Sequence, residues 1–168
     1  MNARSLNIEA EGILRLVGPA GWSKSRREGI GQIYRLAAEA GIDTLDLSLV
    51  DGSGLSPQNL ATPRALVRWL AASDGADSLR GVLRRGLAVA GEPGTLERRF
   101  AALPPGAELS AKTGTLTNVS SLSGYLRTAE GEEIVFAMVV NGARRSGAQR
   151  PRPDRRRPRA AAADQRRG

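Results

Sequence analysis

The sequence predicts an α+β fold, helices first and antiparallel strands last. Apolar residues recur with a helical period through roughly the first hundred positions. After Lys112 the pattern turns extended, with two apolar runs joined by Ala129-Glu130-Gly131-Glu132, a hairpin-sized link. From Ala143 onward large apolar residues cease, so residues 1–142 are expected to form the domain and residues 143–168 an Arg/Pro-rich disordered tail.

Each element follows from local signals. Asn7–Val17 reads as a short helix with Asn7 or Ser5 as its cap, Glu9 and Glu11 near its N-terminal dipole, and Gly18-Pro19 as its stop. A second helix is expected over Ser23–Glu39, capped by Ser23, striped by Ile30, Ile33, Tyr34 and Ala37, and ended by Gly41. Leu45–Val50 alternates as a strand does, and Asp51-Gly52-Ser53-Gly54 then turns the chain. Thr62-Pro63 opens a third helix by the cap-then-proline rule, with Leu66, Val67, Trp69 and Leu70 on its apolar side. Ser78–Leu87 and Thr95–Leu103 are read as a fourth and a fifth helix. Val119–Thr128 and Ile134–Asn141 are the strands, and Ile134–Val140, apolar on both faces, reads as a central strand covered on both sides. No internal repeat is found.

Composition narrows the chemistry. The 168 residues suit one domain with a modest core, and with aromatics at 4% that core is thin unless further chain completes it. Cysteine and histidine are both absent, which removes disulfides, thiolate and imidazole zinc sites, and the Ser-His-Asp and Cys-His arrangements. No metal or cofactor is expected, and any proton shuttle must use Lys, Ser, Asp, Glu or Tyr. The formal charge of +8 sits entirely in the tail, where ten arginines face Asp154 and Asp164, while residues 1–142 are neutral. A basic tail of this kind suggests one alternative function, non-enzymatic binding of nucleic acid or an anionic surface, although no aromatics are interleaved to stack bases. No run of 18 apolar residues is present, and the first residues carry acids without an apolar h-region, so no transmembrane helix or signal peptide is read; taken literally, the chain is cytoplasmic.

One stretch names a chemistry. Lys112-Thr113-Gly114-Thr115 supplies a cation, two hydroxyls and a glycine that lets substrate backbone approach, a set suited to an acyl-transfer site. It is the third of three boxes found in penicillin-binding proteins and β-lactamases. Ser5-Leu6-Asn7 supplies the second box, Ser-x-Asn, and it is the chain's one occurrence of that pattern; a helix cap is the competing reading of Ser5 and Asn7.

The boxes stand in a longer succession. Ser5-Leu6-Asn7-Ile8-Glu9-Ala10-Glu11, Val50-Asp51-Gly52-Ser53-Gly54-Leu55-Ser56 with Asn59 and Thr62-Pro63, Val89-Ala90-Gly91-Glu92-Pro93-Gly94-Thr95-Leu96, and Ala111-Lys112-Thr113-Gly114-Thr115-Leu116 follow in order. That order resembles the C-terminal half of the D-alanyl-D-alanine carboxypeptidase/endopeptidase family, the type 4 low-molecular-mass penicillin-binding proteins, over about residues 4 to 142. The second and third of these segments favour that family over a β-lactamase. The resemblance implies part of a penicillin-binding-protein/β-lactamase-like transpeptidase fold and a serine-type carboxypeptidase acting on peptidoglycan stem peptides that end in D-Ala-D-Ala. It also implies β-lactam binding by the full-length enzyme and a periplasmic or extracytoplasmic location. Ser5 would relay a proton towards the leaving amine, Asn7 would bond the substrate peptide group, and Lys112 would add positive potential and orient Ser5. Thr113 and Thr115 would bind the terminal carboxylate beside Gly114, and the Thr115 N–H would be an oxyanion donor. Asp51-Gly52-Ser53-Gly54 is read as loop architecture.

The family's first box, Ser-x-x-Lys, is missing. The two lysines are Lys24 and Lys112, and three residues before them stand Gly21 and Leu109. The chain is therefore expected to lack its nucleophile and to be inactive alone, as a late-started or divided gene would be, with a frameshift as the source of residues 143–168. Apolar surface around Val135, Phe136 and Val139 is expected to stay partly open, giving a marginally stable or aggregation-prone product.

Overall fold

Among the described residues, the fold is set by where the apolar residues of four helices and the larger of two sheets can meet. The computed structural model describes residues 3–17, 25–72, 77–100 and 102–142. Gly18-Pro19, Ser23 and the segment from Ala143, on which several sequence expectations fall, lie outside them.

Helix α1 (Asn7–Leu16) packs on helix α2 (Arg26–Glu39). Neither serine nor asparagine caps α1: its N-cap position is Leu6, with no side-chain cap hydrogen bond, which leaves the Ser5 hydroxyl for other work. Helix α2 begins three residues later than the sequence suggested, because Ser25 takes the Glu28 N–H at 3.2 Å. It ends as expected at Gly41, whose φ of +70° lets the Gly41 N–H reach the Ala38 carbonyl and the Ile42 N–H reach that of Ala37. Ile42 and Ala37 then share a buried cluster with Ala65.

The stretch expected as a strand over Leu45–Val50 is shorter. A 3₁₀ turn (Thr44–Asp46) leads into β1 (Leu47–Ser48), which pairs antiparallel with β2 (Leu60–Ala61). Asp43 captures the Leu45 N–H at 2.9 Å and winds the first residues into a turn instead. Helix α3 (Pro63–Ala72) follows the cap-then-proline reading, with Thr62 Oγ1 accepting from the Ala65 N–H at 3.1 Å. Helix α4 (Asp77–Gly86) matches the fourth expected helix within a residue at each end.

The expected fifth helix does not form. Gly94–Phe100 is instead a run of i→i+3 turns, with the Glu97 N–H on the Gly94 carbonyl, the Arg99 N–H on that of Leu96, and Phe100 at φ +60°. A helix needs an apolar stripe to bury, and this segment offers one buried anchor, Leu96, followed by the exposed run Glu97–Phe100.

Four strands make the main sheet in the order β3-β4-β5-β6: β3 (Ala88–Val89), β4 (Glu108–Leu116), β5 (Val119–Arg127) and β6 (Glu133–Asn141), all antiparallel. Alternation divides them into two faces. One face carries Tyr125 and Val135, which pack with Leu70 of α3 and with Leu83 and Leu87. The Tyr125 hydroxyl donates to the Leu70 carbonyl at 3.0 Å, and Arg84 lies 4.7 Å over its ring while pairing with Glu133 at 2.8 Å. The other face carries Ala111, Leu122 and Phe136, gathered with Ala88 around Leu96.

Among the described residues strand β6 is an edge strand, against the expectation of a central one. Its neighbour is β5 on one side only, and on the face away from α3 Ile134, Met138 and Val140 are 44%, 53% and 52% exposed. The opening the sequence suggested is real but sits on those residues. Val135, on the opposite face, packs against Leu70 and Tyr125.

Candidate active site

Strand β4 carries Lys112-Thr113-Gly114-Thr115 in its middle, and its pairing explains what that stretch presents. Strand β3 pairs with β4 only through Ala111 and Ser110, and the Ala90 N–H continues the ladder to the Leu109 carbonyl. The backbone of Leu109 therefore faces β3, and by strand alternation Thr113 and Thr115 face the same edge. Beyond Ala111 no strand covers that edge among the described residues, so their N–H groups are presented to an incoming chain.

A cation stands beside this edge. Lys112 is partly buried; its Nζ donates to Ser5 Oγ at 2.9 Å and to the Thr113 carbonyl. Burial holds its ammonium below the usual lysine pKa, because removing the charged form from water disfavours it. Ser5 comes from the turn just ahead of α1, and its backbone is left-handed at φ +57°, a conformation costing a non-glycine residue about 1 kcal/mol. The structure thus brings Ser5, Lys112, Thr113, Gly114 and Thr115 together across 107 positions of sequence. Asn7 opens α1 two residues beyond Ser5 and is exposed.

Gly114 owes its identity to the sheet. A Cβ there would stand 2.3 Å from Ser121 Oγ on β5, so the hydroxyl of its cross-strand partner fills the place a side chain needs. Sequence reading missed Ser121, since a serine in a strand carries no local signal.

The Asp51-Gly52-Ser53-Gly54 turn is internally wired. Asp51 accepts from the Gly54 N–H (2.6 Å), the Ser56 N–H (2.8 Å) and Asn59 Nδ2 (2.7 Å), while Asn59 Oδ1 accepts from the Val50 N–H at 2.8 Å. Burial alone raises the Asp51 pKa, but the donors from Asn59, Ser56, Gly54 and Ser53 outweigh it and hold the carboxyl below its ordinary range. Glu11, expected to serve the α1 dipole, instead accepts the N–H groups of Gly52 (3.0 Å) and Ser53 (2.9 Å). Burial likewise acts to raise its pKa, and the bonds from Ser53 and Gly52 with the charge of Arg26 bring it below normal. The helix that follows Ser5 is thereby fixed to this turn. Between the turn and the end of the β4–β5 hairpin lies a groove of about 650 Å³, lined among others by Leu47, Leu55, Leu60, Leu116 and Val139.

Known proteins resemble this chain in sequence and in fold. The chain is 34% identical over 154 residues to carboxypeptidase DacB of Mycolicibacterium smegmatis, an overlap of 88% of this chain and 33% of that protein. Its structure matches penicillin-binding protein 4 of Haemophilus influenzae with a TM-score of 0.73 at 28% identity, covering 84% of this chain and 32% of that one, and a second structure of that protein holds a β-lactam. A β-lactamase of Sphaerobacter thermophilus, 22% identical with a TM-score of 0.52 over 68% of this chain and 46% of its own, shares the fold. The chain thus spans about a third of the length of the first two proteins. The part it contains bears the paired Ser5–Lys112 boxes and the open β4 edge, and residues 1–165 match the D-Ala-D-Ala carboxypeptidase 3 (S13) family, to which this chain belongs.

Proposed function

We propose that this chain forms the carboxylate-binding wall and proton-relay side of a serine-type D-Ala-D-Ala carboxypeptidase acting on peptidoglycan stem peptides. The observation that carries the reading is the 2.9 Å contact between Lys112 Nζ and Ser5 Oγ beside a stretch of β4 whose β3-side edge is uncovered among the described residues. A stem peptide ending in D-Ala-D-Ala lies along that edge. Its terminal carboxylate is drawn by the positive potential of Lys112 and bonded by Thr113 and Thr115. The Thr115 N–H faces the scissile carbonyl as one oxyanion donor, Asn7 bonds the substrate peptide group, and Ser5 Oγ passes a proton to the departing D-alanine nitrogen. Lys112 donates to Ser5, leaving the hydroxyl's own proton free to point at the leaving group. The groove beside Leu55 and Leu116 receives the preceding part of the peptide.

The attacking serine belongs to the Ser-x-x-Lys box, which this chain does not carry, so the chain by itself neither hydrolyses the peptide nor is acylated by penicillin. With a complete site, β-lactams enter as mimics of the D-Ala-D-Ala terminus. The substrate places the reaction outside the cytoplasmic membrane; among the described residues no helix is long and apolar enough to cross one. Family membership favours this reading over polyanion binding by residues 143–168.

A chimera tests it. Residues 1–142 replace the corresponding part of a family carboxypeptidase that retains Ser-x-x-Lys, and D-alanine release from an acyl-D-Ala-D-Ala peptide is measured. Lys112→Met and Ser5→Ala are each expected to lower kcat/KM by about 10²- to 10³-fold, the range for loss of one electrostatic or proton-transfer group. Full activity in both variants, or covalent labelling of the isolated chain by a fluorescent penicillin, contradicts the proposal.

A further inference from the structure

The segment Gly91-Glu92-Pro93-Gly94-Thr95-Leu96 is part of the sequence pattern, yet it supplies no group to the chemistry above. We infer that the Gly94-Thr95 turn is a positioning device that holds the Ser5 hydroxyl against Lys112, an inference resting on the reading of that pair as the reaction site.

The contacts around Ser5 form a closed path. Ser5 cannot hold itself in place: it is exposed, it does not cap α1, and its left-handed backbone is disfavoured for serine. The turn Ala3–Ser5 is hydrogen-bonded at two points, one on β4 and one on the Gly94-Thr95 turn. Lys112 donates to Ser5 Oγ at one, and the Thr95 N–H donates to the Ala3 carbonyl at 3.1 Å at the other. The second point is the one able to fix backbone position, since a lysine side chain is long and flexible while a backbone N–H in a braced turn is not.

That turn is braced by the strand bearing the lysine. Leu96 is fully buried in a cluster with Ala88 and Ala111, Ala3 packs on the same cluster, and Ala111 immediately precedes Lys112 on β4. The Gly91 N–H reaches back to the Leu96 carbonyl and the Glu92 N–H to that of Val89, closing the loop onto β3. Shifts in β4 therefore carry both members of the pair together.

Gly94 makes the contact possible. A Cβ there would come within 3.1 Å of the Ala3 carbonyl oxygen, at a φ of +155° that side chains rarely adopt. Gly91, in the same loop at φ +81°, has nothing within 4 Å of such a Cβ and shares the strain without the contact. The Thr95 hydroxyl is buried without a hydrogen-bond partner among the described residues, so the backbone N–H does the holding and the side chain is dispensable for it.

The test is NMR on the full 168-residue chain. Its two lysines allow the Lys112 side-chain signals to be assigned with Lys24→Arg. The unaltered chain is expected to show a nuclear Overhauser effect between the Ser5 β-protons and the Lys112 ε-protons. Gly94→Ala should weaken it with amide dispersion retained, while Gly91→Ala and Thr95→Val should leave it unchanged. Should Gly94→Ala fail to fold, Ala3→Gly, which removes the methyl packed beside Leu96, should weaken the same signal. A signal present in the unaltered chain and unchanged in Gly94→Ala, or in Ala3→Gly, overturns the positioning role alone. Its absence from the unaltered chain overturns the Ser5–Lys112 reading itself, and this inference with it.

Discussion

Replacing Asp51 by asparagine separates the turn's hydrogen bonding from its shape, because the two side chains are nearly isosteric. In the native turn Oδ1 accepts from the Gly54 N–H at 2.6 Å and from Asn59 Nδ2 at 2.7 Å, and Oδ2 accepts from the Ser56 N–H at 2.8 Å. An amide keeps one oxygen. Turned towards Gly54 and Asn59, it sets its NH₂ against the Ser56 N–H; turned the other way, it abandons two donors. The better orientation loses one charge-assisted bond, worth about 1.5–3 kcal/mol, and makes the other two neutral. Water reaches this partly buried turn and recovers some of that, so Asp51→Asn is expected to cost about 2 kcal/mol, close to a 1 M fall in the urea midpoint at unchanged m. The pH dependence has a fixed sign. The folded carboxyl lies below its ordinary 3.8, so its contribution is complete above that value and disappears as pH falls through 3.8 and then through the folded pKa. Wild type and variant should differ at pH 7, and by less at about pH 3, below the ordinary 3.8. A difference below about 0.5 kcal/mol at pH 7, or an equal difference at both pH values, refutes the argument.

Other consequences follow from neighbouring contacts. Glu11→Gln should destabilise in the same direction, with its effect present above pH 4.5 and fading in acid, because the folded Glu11 pKa is likewise depressed; urea titrations at several pH values read this out. Gly114→Ala drives a Cβ to 2.3 Å from Ser121 Oγ and should cost about 1–3 kcal/mol by overpacking, whereas Ser121→Ala in the same chain leaves that Cβ 3.7 Å from its nearest neighbour and should restore stability. Met138→Lys places a charge on the open face of the edge strand and should reduce self-association in analytical ultracentrifugation while moving the thermal midpoint little. An unchanged sedimentation profile removes the link between that strip and aggregation.

Legibility followed the range of the interactions. Gly41, Thr62-Pro63 and the β5–β6 hairpin were readable because caps, turns and alternation act within a few residues. Thr95–Leu103 misled because its residue types suit a helix, while a single buried leucine and a left-handed Phe100 decide the outcome. Ile134–Val140 misled in another way: continuous apolarity reports what a strand can pack against, and the described residues leave Ile134, Met138 and Val140 uncovered on the face away from α3, where only Phe136 packs. At the site, Ser5 and Lys112 were found through the spacing of boxes. The helix-cap reading of Ser5 could be settled only by the three-dimensional contact, with Leu6 at the cap position and Ser5 Oγ against the lysine. Glu11, Ser121 and the Ala3–Thr95 link had no local signature, since each acts on a partner distant in sequence.

The most direct test of the central claim is a titration of the labelled chain with an acyl-D-Ala-D-Ala peptide, followed by amide shifts along β4 and by the Lys112 side-chain signals. Saturable shifts are expected, centred on Thr113, Gly114 and Thr115, lost in Lys112→Met and absent with the L-Ala-L-Ala peptide. Shifts that ignore the chirality of the terminus, survive removal of Lys112, or fall elsewhere on the chain would contradict that claim.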